Sequence, residues 1–368
     1  MSARTSEVTA VEAAPPTAVD LAKARRRASS VRLPLVGAVV PRRQLLVVGA
    51  LGLAIVVLAL VALGTGDYPL SVVEVVRAMF AGDGGFDTTI VLEWRLPRVL
   101  VALVFGAGLA LSGAIFQSLT RNPLGSPDII GFSTGSYTGA LIAITVVGDT
   151  YLSTSAGALV GGLTTALVVY LLAYRRGVQG FRLIIVGIAI TALLTGVNTY
   201  LLLRASVEVA MSASIWGSGS ISLVGWDQAV PAMIVLVVLA PLVILLSRPL
   251  RQLELGDDAA QAHGVRTEPA RLAILVVGVA LIATVTAVAG PIAFIALAAP
   301  QIAQRLGRSA GLPLVGSALT GAVLLLLADF IAQHLFPGGP VPVGIVTVCV
   351  GGLYLIWLLA VDRKSSSM

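Results

Sequence analysis

The sequence predicts an all-α polytopic membrane protein with ten transmembrane helices, and three observations carry that reading. Of 368 residues, 57% are hydrophobic and only 11% charged, with a mean hydropathy of +0.98, whereas soluble domains carry roughly 25% charged residues. Apolar runs recur along the whole chain, and ten of them approach the length of about 20 residues that a helix needs to cross the hydrocarbon core. The arginines and lysines collect in alternate gaps between those runs, as the cytoplasmic preference of basic loops requires.

Residues 1–43 are rich in Ala, Pro, Ser and Arg without an apolar period, which predicts a disordered basic cytoplasmic tail beside anionic membrane lipid. The first apolar run, 44–65, is too long for a signal-peptide core and lacks a small-residue cleavage site, so it reads as a retained span. Further spans are expected at 98–119, 129–148, 155–174, 183–203 and 229–247. A polar island at 248–271 precedes the last four, at 272–289, 291–304, 313–335 and 342–361, and residues 363–368 form a short cytoplasmic tail. The eighth run is short and carries Pro291 and Pro300. With the N-terminus inside, every one of the 24 basic residues except Arg77, Arg95, Arg98 and Arg204 lies on the cytoplasmic side, and both termini are cytoplasmic. A span missed or invented early in the chain would erase that bias.

Small residues describe the expected packing. Gly131, Gly135 and Gly139 are spaced by four, as are Gly157 and Gly161, a pattern that lets helix backbones approach closely in lipid. Between the second and third spans, Asn122-Pro123-Leu124-Gly125-Ser126-Pro127-Asp128 cannot continue a helix. It is either a tight cytoplasmic turn or a loop packed against a docking surface.

Several chemistries are excluded. Cys349 is the single cysteine and is expected to be buried in the last span, so there is no disulfide framework. His263 and His334 fall on opposite sides of the membrane and cannot share a metal, and no imidazole, thiolate or carboxylate cluster lines the spans. Lys23 and Lys364 both lie in tails, so the chain lacks the lysine of a phosphate-binding loop, and any ATP and Mg would belong to a partner. No nucleophile, base and metal constellation points to an enzyme, and no nucleic-acid partner is expected. Asp329 is the one carboxylate placed within a span, in Ala328-Asp329-Phe330. An intramembrane carboxylate marks either a hydrogen-bonded tie between helices or the proton relay of a secondary carrier.

Glu93-Trp94-Arg95-Leu96-Pro97-Arg98-Val99-Leu100, Ser112-Gly113-Ala114-Ile115-Phe116-Gln117-Ser118-Leu119, Arg121-Asn122-Pro123-Leu124-Gly125-Ser126-Pro127-Asp128 and Gly131-Phe132-Ser133-Thr134-Gly135 form a set of motifs in order. Together they resemble the FecCD family, the permeases of type II ABC importers for iron-siderophores, haem and vitamin B12. Gly290-Pro291-Ile292-Ala293-Phe294-Ile295-Ala296-Leu297, Ala328-Asp329 and Pro342-Val343-Gly344-Ile345-Val346-Thr347 extend the resemblance, so that it covers residues 44–362 in order. Phe181-Arg182-Leu183-Ile184 and Asn198-Thr199-Tyr200-Leu201 look most like permeases for ferric enterobactin and related catecholate siderophores.

The resemblance implies ten spans with an inverted repeat, spans two to five echoed by seven to ten. It implies four kinds of partner: two ATPase subunits, a second permease, an extracytoplasmic siderophore-binding protein and membrane lipid. It also implies three sites. The polar island would couple to the ATPase through Leu255, Gly256, Ala259, Ala260, Ala262, Gly264 and Val265, with Glu254, Asp257 and Asp258 as charge contacts; a plain solvated linker is the alternative. Arg95 and Arg98 match basic docking points for the binding protein, although both could simply anchor the second span at the interface. Gln333 stands where some members carry a further arginine. Thr191, Thr195, Asn198 and Thr199 on the fifth span are candidates for the translocation path, and could equally make ordinary helix-to-helix hydrogen bonds.

Overall fold

The computed structural model describes residues 30–33, 38–81, 85–128, 130–174, 180–336 and 339–365. Most of the expected N-terminal tail, the basic pair Arg175 and Arg176, and residues 366–368 lie outside them. Within the segment expected to be disordered, β1 (Ser30–Leu33) and β2 (Ala38–Pro41) form an antiparallel hairpin with Val31 opposite Val40.

The remainder is helical. In order come α1 (Arg42–Gly64), α2 (Val72–Phe80), α3 (Phe86–Thr89), a π-helical turn (Ile90–Arg95), α4 (Leu96–Thr120), α5 (Phe132–Val146), α6 (Tyr151–Ala173), α7 (Gly180–Arg204) and α8 (Val207–Gly217). They continue as α9 (Trp226–Glu254), α10 (Asp257–Ala262), α11 (Thr267–Ala289), α12 (Ile295–Gly307), α13 (Leu314–His334) and α14 (Val343–Ser365). A helix coincides with each expected span, yet among the described residues only 7 are long and apolar enough to cross a membrane, not ten. They are α1, the continuous Phe86–Thr120 segment, α6, α7, α9, α11 and α13. The shortfall has a local cause. α5 has 15 residues and α12 has 13, each beginning at a left-handed residue, Gly131 at φ 90° and Phe294 at φ 70°. At 1.5 Å per residue they reach only about 20 Å. In α14 the apolar stretch among the described residues is Val343–Tyr354. Cys349 is exposed on that helix, contrary to its expected burial.

α4 is the central element, with inward residues from Pro97 to Thr120, and it packs on α9, α11, α12 and α13. Its approach to α13 is glycine on glycine: a Cβ at Gly106 would collide with the Gly321 carbonyl, and one at Gly321 with that of Gly106. Gly113 meets the Ala296 carbonyl of α12 in the same way. α5 and α6 close on one another through Gly135, Gly139, Gly157 and Gly161, the four-residue spacing read from the sequence. α11 packs on α6 as α4 packs on α13, which pairs the seventh expected span with the fourth and the second with the ninth. That exchange is what any repeat of spans two to five in spans seven to ten would produce, whatever its direction.

The segment after α4 turns sharply at Arg121, whose φ is 51°. Asn122 Oδ1 accepts from Leu124 N–H at 2.9 Å, an Asx turn that satisfies one freed backbone group. The segment then packs inward, since a Cβ at Gly131 would lie 2.8 Å from Thr191 Oγ1 of α7. Asp128 accepts from the Ser133 hydroxyl through Oδ1, while its Oδ2 is buried without a partner. Burial pushes this carboxyl up to about 6, partly offset by the Ser133 hydrogen bond.

Two expectations follow. Gly106→Ala should destabilise the detergent-solubilised protein by about 1–3 kcal/mol through overpacking. Gly196→Ala, where no atom lies within 4 Å, should be neutral or slightly favourable; thermal unfolding followed by size exclusion reads both. For Asp128, the raised folded value means that ionisation costs stability as pH rises through about 6. Asp128→Asn should therefore raise the midpoint at pH 8 and give no gain at pH 4, and an equal gain at both would contradict the assignment.

Candidate functional site

The polar island folds into a compact corner. α9 ends at Glu254, and Gly256 then takes φ 117°, a left-handed angle that L side chains rarely adopt, so the chain turns directly into the six residues of α10. Gly264, at φ 82°, returns it toward α11. Val265 N–H donates to the Ala260 carbonyl at 3.0 Å, and Ala260 is fully buried, so α10 is pinned at its middle.

The acidic residues divide by role. Asp257 Oδ1 receives Arg271 at 2.7 Å and Arg121 at 3.1 Å, which joins the ends of α4, α10 and α11. Arg121 also donates to the Leu253 carbonyl at 2.8 Å, and Arg271 reaches Glu268 at 3.3 Å. Glu254 accepts from the Ser118 hydroxyl of α4. Glu254 and Asp257 are thus engaged within the chain, whereas Leu255, Asp258, Ala262 and Gly264 are exposed and Ala259 and Val265 half-buried. Beside this corner a cavity of about 420 Å³ is lined by Gln117, Ser118, Arg121, Glu254, Gln301 and Gly311 among others. Arg121, Arg271 and Ser118 were not anticipated as site residues; the only sequence signal was that Arg121 opens the Asn-Pro-Leu-Gly segment.

At the opposite end of the long Phe86–Thr120 segment, Arg95 and Arg98 are both tied down. Arg95 donates to the Leu63 and Tyr68 carbonyls at 2.7 Å each, fixing the exit of α1. Arg98 makes a two-pronged pair with Asp329 of α13, both contacts at 2.9 Å, and donates to Ser222 Oγ at 3.0 Å. Gln333 completes the shell by donating to Asp329 Oδ2 at 2.7 Å. Asp329 is 2% exposed, so its carboxylate is held out of water, while the half-buried Arg98 meets it with geometry that satisfies both charges. The pairing of Arg98 with Asp329, 231 positions apart, could not be read from the sequence.

The four candidates on α7 share one arc of the helix but differ in exposure. Thr195 and Thr199 donate to the carbonyls four residues back, at 2.7 and 2.9 Å, and lie on an exposed face with Ala192 and Gly196. Thr191 faces Gly131, and Asn198 is 5% exposed; Thr191 Oγ1 and Asn198 Oδ1 are buried without hydrogen-bond partners. Among the described residues no group of three or more His, Cys, Asp or Glu is placed to hold a metal ion.

Comparisons with known proteins agree with this architecture. The FecCD transport family matches residues 53–361. The chain is 47% identical over 325 residues to the ferric enterobactin transport system permease protein FepG of Escherichia coli (strain K12), covering 88% of this chain and 98% of that one. It is 36% identical to the achromobactin transport system permease protein CbrC of Dickeya dadantii (strain 3937), over 85% of this chain and 91% of that one. Among solved structures, an inward-facing metal-chelate type ABC transporter matches with a TM-score of 0.75 at 28% identity, covering 86% of this chain and 99% of that one. The chain belongs to the FecCD transport family: it is a multi-pass, non-catalytic permease subunit of an ABC importer, whose ATP hydrolysis occurs in a separate ATPase partner.

Proposed function

We propose that this permease imports iron-siderophore complexes and that its cargo is a ferric catecholate of the enterobactin kind. The 47% identity to FepG, across 98% of that protein, carries the proposal. Relatives named for hydroxamate or hemin transport are 37% and 36% identical. The working assembly comprises two ATPase subunits, a second and different permease chain, and an extracytoplasmic siderophore-binding protein. The ten helices that coincide with the expected spans all cross the membrane in it, and both termini are cytoplasmic. The exposed residues of the α10 corner, Leu255, Asp258, Ala262 and Gly264, contact the ATPase. The face of α7 bearing Thr195 and Thr199 lines the path beside the second permease.

The mechanism is alternating access. ATP binding shifts the permease between inward- and outward-open states only through contacts that differ between them, and the α10 corner supplies those contacts. Arg95 and Arg98 serve the binding protein by shaping the docking face: both guanidinium groups are already engaged with the chain itself. Cargo affinity resides in the binding protein, since a conduit that held a chelate tightly would not release it. The Asp329 carrier reading loses ground because the carboxylate is already matched by Arg98 and Gln333.

Purification of the tagged chain in mild detergent, followed by mass spectrometry and an ATP hydrolysis assay, should recover an ATPase and a second permease. Cells expressing the system should accumulate iron-55 from a ferric catecholate in preference to a ferric hydroxamate or hemin, and equal uptake of all three would refute the cargo assignment. Ala262→Trp should leave insertion intact, because the position is helical and exposed, while uptake is lost; Gly256 and Gly264 hold positive φ angles at which any side chain is strained whatever the space. Asp329→Asn should lower stability by about 3–5 kcal/mol by leaving Arg98 unpaired. Adding Arg98→Gln should recover part of that loss together with uptake; a proton relay would not be rescued by its partner.

A further inference from the structure

α2 has three sides rather than two. At 3.6 residues per turn its nine residues sort into separate sectors. Val75 and Ala78 are buried against the protein, and Met79 packs on the same core. Glu74 and Arg77 form an exposed polar sector, with Glu74 closing a capping box by accepting from Ser71 N–H and Oγ–H at 2.7 Å each. Between these lies a contiguous apolar sector open to the surroundings: Val72 at 56%, Val76 at 43%, Phe80 at 82% and Val73 at 67% exposure. A helix that rests on a protein beneath water needs an inward face and a polar face, and nothing in that arrangement accounts for an outward arc of three valines and a phenylalanine.

The position of the helix explains the third side. α1, whose Leu53, Val57 and Val61 are exposed in a chain that crosses the membrane, ends at Gly64. Leu70 N–H donates to the Gly64 carbonyl at 2.8 Å, which folds the chain back onto the end of that helix, and a Cβ at Gly64 would lie 3.9 Å from Val75 of α2. Val75, on the inward face of α2, thus sits at the end of α1, which places α2 at the level where that membrane-crossing helix stops. Three aromatic rings lie beside α2, on the loop before it and on the α3 and π-helical segments that pack on it. Phe86 meets Tyr68 edge-on at 5.5 Å and Trp94 edge-on at 6.3 Å, and all three are well exposed. Tyr and Trp are the residues that settle at headgroup level.

We propose that α2 is an interfacial anchor at the membrane surface remote from the α10 corner: Val72, Val73, Val76 and Phe80 lie in the acyl–headgroup boundary, Glu74 and Arg77 face the headgroups, and Tyr68, Phe86 and Trp94 form the adjoining belt. Its partner is a lipid surface, bound through the apolar sector of an amphipathic helix. The anchor fixes the level of Arg95, whose guanidinium is held on Leu63 and Tyr68 at the base of the same loop.

The test uses the full chain in phospholipid liposomes, with Cys349→Ser as background and nitroxide labels placed singly by Val73→Cys, Val76→Cys, Phe80→Cys and Glu74→Cys. Power-saturation EPR compares access of molecular oxygen, which partitions into lipid, with that of a water-soluble nickel chelate. Labels at 73, 76 and 80 should favour oxygen, and the label at 74 should favour nickel. Nickel access at 73, 76 and 80 equal to that at 74 would overturn the proposal and leave the sector for a water-borne protein. Exclusion of both reagents with immobilised spectra would overturn it in favour of a protein cover. The ABC importer assignment stands whichever result is obtained.

Discussion

Lipid offers no hydrophobic reward for bringing two helices together, so the fold depends on how closely their backbones can approach. The contacts that organise the molecule are of this kind. Gly106 on Gly321 sets α4 against α13, Gly113 on the Ala296 carbonyl sets it against α12, and Gly139 on Gly157 binds α5 to α6. Side chains then fill the remainder, with Phe105, Leu109, Ile115 and Leu325 almost fully enclosed. The Arg98–Asp329 pair acts on the same α4–α13 contact and fixes its register, because a two-pronged bond tolerates little sliding.

Close approach also makes irregular backbone possible at membrane depth, where each freed polar group must find a protein partner. The clearest case lies where the end of α8, the end of α11 and the start of α14 meet. Ser220 N–H donates to the Ala289 carbonyl at 2.7 Å, and Gly344 N–H to the Gly219 carbonyl at 3.0 Å. Three chain ends are thereby stitched directly to one another. Phe294, the left-handed residue that opens α12, is lodged against Gly351 of α14, where any side chain would collide with its ring. The short helices that fail the length criterion are thus products of the same packing that holds the core.

Much of this was legible in the sequence. Composition and the spacing of apolar runs located a helix at every expected span, because hydropathy responds to the same solvent that selects helices. The four-residue spacing of Gly135, Gly139, Gly157 and Gly161 foretold close helix-to-helix approach, and the structure supplies the pairing of α5 with α6. What escaped was set by tertiary context. Helix lengths at α5 and α12 depend on left-handed residues whose angles no run of apolar residues reveals. Glu254 and Asp257 read as free charges in a polar island, yet their partners Ser118, Arg121 and Arg271 come from other helices. Arg98 read as a docking charge because Asp329 is remote in sequence. The four polar residues of α7 share one arc of that helix, yet their burial differs, because Asn198 and Thr191 are covered by neighbours that Thr195 and Thr199 lack.

The clamp at Asp257 gives α4 a mechanical character. Arg121 closes the end of a 25-residue helix and grips both the Leu253 carbonyl and Asp257. At 1.5 Å per residue that helix is a rod about 37 Å long. Rocking such a rod by about 10° at the clamped tip carries its far tip, near Arg98, through roughly 6 Å. A slight tilt on one membrane face would thus become a side-chain-sized stroke on the other, carried jointly with α12 and α13, whose backbones are seated on α4.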